Sequence, residues 1–192
     1  MSAEQQKPKS DFVARCAIHP QFNGTGAVFD HAWLLYFQGT KKKRSLSVGW
    51  REYLPTDADV HAYGCRSAAI MNAGKLQRNG VAPEPLKDKA HYLGFFQFSI
   101  KGAVGLANEV YRLSFEHVPE HGEEAHAHIS YEELDGIDKN VNKASARTDI
   151  VDKLWRLMSA PVRHICPDDE PHRADLEAID LQNAQRPVTP AA

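Results

Sequence analysis

Nowhere in this chain does an apolar run approach the roughly 20 residues that a bilayer-spanning helix needs, and the polar stretch 1–11 has no apolar leader core. No membrane partner is expected, and the cytoplasm is the expected compartment. Cysteine is equally scarce. Cys16, Cys65 and Cys166 are an odd set, far apart and without a Cys-x-x-Cys pair. They read as reduced structural thiols rather than a disulfide framework, and they weigh against a zinc site built mainly from cysteine. An excess of either charge sign is missing too: a net charge of -2 gives no global field toward nucleic acid, so such a partner would have to be met by a local patch.

What is present is ordinary globular material. With 192 residues, 42% hydrophobic and 25% charged, the chain can bury one sizeable core without staples, so one domain is expected over 12–165. Residues 1–11 read as a disordered N-terminus. Residues 166–192 carry six acidic residues against Arg173 and Arg186 only, with several prolines. They read as a mobile tail or one short helix near 173–181.

Between these ends the apolar pattern changes period several times. Residues 12–18 alternate loosely as a strand and lead to the turn Asn23-Gly24-Thr25-Gly26; strands are expected within 27–37 and over 46–50, around the basic turn Lys41-Lys42-Lys43-Arg44. Pro55-Thr56-Asp57-Ala58-Asp59 offers a helix cap and an acidic first turn, and the helix should run to Asn79-Gly80. Residues 91–100, 110–117 and 125–131 read as strands. At 148–158 the spacing of Ile150, Val151, Leu154, Leu157 and Met158 gives one apolar helical stripe, with Asp149 and Lys153 as an i,i+4 pair. Strands interleaved with helices in no regular alternation indicate an α+β fold, a mainly antiparallel sheet with one or two helices packed on one face.

The chemistry is concentrated in Glu116-His117-Val118-Pro119-Glu120-His121-Gly122-Glu123-Glu124-Ala125-His126-Ala127-His128, thirteen residues holding four histidines and four glutamates. On a strand beginning near Ala125, His126 and His128 share one face, because side chains alternate with period two. Two imidazoles so placed can bind a divalent transition metal such as zinc, with His121 or another group completing the set. In a metal-free alternative, His126 acts as a general base or acid beside Glu123 or Glu124. A third reading is a polar turn entering a strand.

Elsewhere, Lys41-Lys42-Lys43-Arg44 can grip phosphate or a nucleic-acid backbone, with Trp33, Tyr36 and Trp50 available to stack on a base, or it can be a solvated turn. The order of Arg15, Ser47 and Glu123 is similar to the Arg, Ser, Glu order of some ADP-ribosyltransferases, which would imply a catalytic Arg15.

Arg15, His19-Pro20, Leu46-Ser47-Val48-Gly49-Trp50-Arg51-Glu52-Tyr53 and, later, Pro119 followed by Ala125-His126-Ala127-His128-Ile129 resemble a family of small uncharacterised bacterial proteins. Its pattern is a Leu-Ser-Val-x-Trp-x-Glu-Tyr segment before a helix, then a proline turn and an Ala-His-Ala-x-Ile strand. The resemblance spans about 12–158 and brings no activity with it. It matches His126 and leaves His128 at an open position, which favours a single-histidine role.

Two functional expectations follow. One is an accessory or interaction domain that binds a partner protein or small ligand through a face carrying Trp50, Tyr53 and His126, with Arg44 nearby. The other is a histidine-dependent enzyme, a hydrolase, nuclease or nucleotide-modifying toxin, with His126 and Glu123 or Glu124 at its centre and Arg15 or Arg44 holding phosphate.

Overall fold

The computed structural model describes residues 10–19, 38–39, 43–86, 88–120, 123–138 and 140–184. The turn Asn23-Gly24-Thr25-Gly26, the stretch 27–37, Lys41, Lys42 and His121 lie outside them. The described strands are β1 (Phe12–His19), β2 (Gln38–Gly39), β3 (Lys43–Trp50), β4 (His91–Ser99), β5 (Tyr111–His117), β6 (His126–Glu133) and β7 (Val162–Arg163). Their order is β5-β6-β3-β1-β4-β7, with β2 paired to β3. The described helices are α1 (Asp57–Asn79), α2 (Ile100–Val104), α3 (Lys143–Leu157) and α4 (Arg173–Ala184), with a 3-10 turn at Pro167–His172 before α4. This is the expected α+β fold with an antiparallel sheet. None of the described helices is long and apolar enough to cross a membrane.

By its contacts the chain divides into two compact units: 1–15, 37–60 and 97–159 form the first, and 16–36, 61–96 and 160–192 the second. β1 and β4 contribute residues to both.

In the first unit, β3, β6 and β5 run antiparallel in continuous register, from Lys43↔Glu132 to Gly49↔His126 and from Tyr111↔Glu133 to His117↔Ala127. That register sorts the side chains. Leu46, Val48, Leu113, Ala127, Ile129 and Tyr131 fall on one face and are essentially buried. α3 buries Ala146, Ile150 and Leu154; of the stripe read from the sequence Ile150 and Leu154 are buried, whereas Leu157 is 40% exposed. Each such aliphatic side chain contributes about 1.5–3 kcal/mol when withdrawn from water.

α3 begins five residues before Thr148 because the Asn142 side chain accepts the amide hydrogens of Ala144 and Ser145 at 3.1 and 3.2 Å. The Asp149–Lys153 pair forms at 2.7 Å. Ser10 and Asp11, assigned from sequence to a disordered terminus, are tied down. The Ser10 carbonyl accepts the Trp50 indole N–H at 3.0 Å, and the Asp11 carboxylate takes the Ser99 hydroxyl at 2.5 Å and the Lys101 amide at 2.9 Å.

α1 starts as the sequence indicates, through a reciprocal cap. The Asp59 amide donates to the Thr56 hydroxyl at 3.2 Å while the Asp59 carboxylate accepts the Thr56 amide at 2.9 Å. Those bonds from Thr56, helped by Arg51, hold the exposed Asp59 carboxyl below its ordinary range. In the second unit Gly64 explains how the helix tolerates glycine: a Cβ there would stand 2.2 Å from the Tyr92 ring, so only glycine lets α1 lie this close to β4. Gly94 serves the β4–β7 pairing, with φ +134 and the Val162 carbonyl 2.2 Å from where a Cβ would be.

The expectation about the cysteines is corrected here. Cys65 on α1 and Cys166 form a disulfide, so the thiols are not all reduced, and the buried Cys16 stays outside that bond. After 165, the described residues take the short-helix alternative. Asp169 is 4% exposed and Leu176 is fully buried, and α4 occupies the place where a short helix was expected. Folding brings Cys166 to the side of α1 across 101 residues of sequence, a proximity that no local pattern encodes.

Candidate metal centre

β5 and β6 are joined by the proline-bearing turn whose chemistry dominates the sequence. Its backbone is held at several points: the Glu123 amide donates to the Glu120 carbonyl at 2.8 Å, and the His126 amide donates to the Glu123 carbonyl at 3.1 Å. The Val118 amide donates to the His126 carbonyl at 3.1 Å. This closure carries Glu120 back over the start of β6.

Glu120, His126 and His128 consequently each offer a ligand atom within 4.8 Å of the others. The Glu120 carboxylate stands 3.8 Å from His126 Nδ1, and the two imidazoles meet edge to face at 4.9 Å between centroids. His126 and His128 share a face because they are two residues apart on a strand. Ligand atoms around an ion with bonds of about 2.1 Å stand about 3.4 Å apart in a tetrahedral set, so the group needs to contract by about 1 Å. Glu120, 47% exposed in its side chain, is free enough to supply that movement.

The orientation of His126 suits a ligand. Its Nδ1–H points to the Val118 carbonyl at 2.8 Å, which leaves the lone pair on Nε2. A backbone acceptor on one ring nitrogen fixes the tautomer that presents the other to a metal. On the same face, Glu116 stands opposite His128 in the β5–β6 register, and Ser47 opposite it in the β3–β6 register.

The other sites expected from sequence are distributed differently. His126 and His128 come together, and Glu120, unremarked among the four glutamates, takes the third place beside them. His121 lies outside the described residues. Glu123 and Glu124 meet the histidines through backbone: the Glu123 carbonyl accepts the His126 amide, and the Glu124 carbonyl accepts His117 Nε2–H at 2.6 Å. Arg15 is buried on β1 and donates to the Ser47 carbonyl at 3.0 Å, a contact that joins β1 to β3.

Trp50, Tyr53 and His126 do not share a face. Gly49 is the partner of His126, so the next residue, Trp50, points to the opposite side. There Trp50 meets Phe115 and His117 edge to face at 5.4 and 4.9 Å, and Tyr53 stacks on His117 at 5.0 Å. Trp50 is buried, whereas Tyr53 is 44% exposed. Arg44 pairs in register with Tyr131 and so also belongs to the face away from His126.

The second unit holds another histidine cluster. His91 is fully buried, with Nδ1 2.9 Å from Asp169, which also takes Lys89 Nζ at 2.7 Å. Its Nε2 accepts the Leu86 amide at 3.4 Å, so both ring nitrogens are committed to structure. Burial lowers the His91 pKa from the ordinary 6.5, Asp169 opposing and Lys89 and His172 assisting.

Compared with known protein families, curated proteins and solved structures, the chain matches none.

Proposed function

We propose that this protein binds a divalent transition metal ion, zinc being the reference case, through Glu120, His126 and His128, and that the centre serves hydrolytic chemistry. The observation that carries this reading is the convergence of two imidazoles and a carboxylate within 4.8 Å. Three protein ligands leave coordination positions open, as catalytic rather than structural sites do. A bound ion would supply Lewis acidity and an acidified water. The chain's own part is to hold His126 through Val118, to keep His128 on the same face, and to let Glu120 close.

The test is elemental analysis of protein purified without a His-tag or chelator, followed by zinc titration of the metal-free form. About one ion per chain, lost in His126→Ala and His128→Ala, is the expected result. Metal-free protein with no zinc affinity above that of the double variant would remove the reading.

A second reading rests on a different observation, the exposed Tyr53 ring stacked on His117. It makes the protein an interaction domain whose partner protein or small ligand covers that ring on the face away from His126. The Cys65–Cys166 bond favours an oxidising compartment over the cytoplasm expected from three separated cysteines.

A further inference from the structure

Arg44 on β3 and Arg147 on α3 meet at Tyr131, and among the described residues neither guanidinium has a carboxylate partner. Arg44 is the direct cross-strand neighbour of Tyr131, and the Arg147 Cζ lies 6.0 Å from the centroid of the Tyr131 ring. The Nε–H groups of both arginines are buried and donate no hydrogen bond. Tyr131 itself is 2% exposed and packs edge to face on Tyr111 at 5.1 Å. The nearest carboxylate along the same strand face, Glu133, is committed to Lys143 at 2.6 Å. Two cations drawn together over an aromatic floor repel each other and lose hydration, so the arrangement costs stability unless an anion completes it.

We propose that Arg44, Arg147 and Tyr131 form a binding site for a phosphate group, the phosphomonoester end of a small molecule. Guanidinium forks match phosphate oxygens in pairs, and two of them neutralise a dianion where one would suffice for a carboxylate. Both arginines are only partly covered, and Arg44 also hydrogen-bonds the Tyr131 hydroxyl. The site is separate from the metal centre: Arg44 and Tyr131 face one side of the β3–β6 pair, and Ser45, Ser47, His126 and His128 the other.

The experiment uses inorganic phosphate as the probe, with EDTA present so that no metal can bind it, and chloride at matched ionic strength as the reference. The melting temperature of the wild-type chain should rise with phosphate concentration beyond any change in chloride, as ligand binding to the folded state requires. Arg44→Gln and Arg147→Gln should each weaken phosphate at least tenfold by calorimetry. Arg112→Gln, at an exposed arginine paired with Glu132, should leave it unchanged.

A second readout separates a ligand site from a structural one. In chloride alone, Arg147→Gln should melt at or above the wild-type temperature, because it removes an uncompensated charge; an arginine that serves only the fold would lower it. Equal responses to phosphate and chloride would overturn the proposal, as would a phosphate response retained in both Gln variants. Should Arg44→Gln not fold, Arg147→Gln decides the matter alone.

Discussion

Asp169 approaches Nδ1 of the fully buried His91 at 2.9 Å, off the line of an ideal hydrogen bond, and so anchors the 3-10 turn to β4. Burial prevails over the carboxylate, and the imidazole stays neutral below its ordinary pKa of 6.5. The unfolded chain therefore takes up a proton at pH values where the folded chain refuses it, and stability rises with pH through that window. Urea midpoints should fall as pH drops below about 6.5, and His91→Gln should flatten that part of the profile. An unchanged slope in the variant would show that other groups set it.

The Cys65–Cys166 bond closes a loop of about 100 residues, for which constraint of the unfolded chain contributes about 2–4 kcal/mol. Thiol titration of protein denatured without reductant should find Cys16 alone, and reductant should lower the melting temperature markedly. Three titrating thiols would mean that the bond does not form.

Two glycines of α1 should respond in opposite directions to alanine. At Gly64 the new Cβ meets the Tyr92 ring at 2.2 Å, so Gly64→Ala should cost about 3 kcal/mol or more despite the better helix former. At Gly74 the nearest atom is the flexible end of Arg78 at 3.4 Å, and Gly74→Ala should gain about 0.5–1 kcal/mol. Denaturant midpoints of the two variants check both signs, and a shift in the same direction for both would refute the close approach of α1 to Tyr92.

His126→Ala should destabilise more than His128→Ala, by about 1 kcal/mol, because the His126 ring is bonded to the Val118 carbonyl. Both should lose metal equally. Coincident melting curves for the metal-free variants would place the Val118 contact among those with no energetic weight.

The sequence alone determined the features that depend on near neighbours. Alternation placed His126 and His128 on one face, the 3.6-residue stripe marked α3, and Pro55-Thr56-Asp57 announced α1, because a strand, a helix and a cap are each decided within a few residues. The α+β class followed from the order of those signals. What only the tertiary structure decided is which distant residues meet. Strand register put Trp50 behind the sheet face that carries His126, turn closure brought Glu120 beside His126 and His128, and helix packing set Arg147 over Tyr131. Cys166 reached Cys65, and Asp169 reached His91, across 101 and 78 residues of chain. Contacts of that kind arise from the burial of whole apolar faces, and no residue's immediate neighbours specify them.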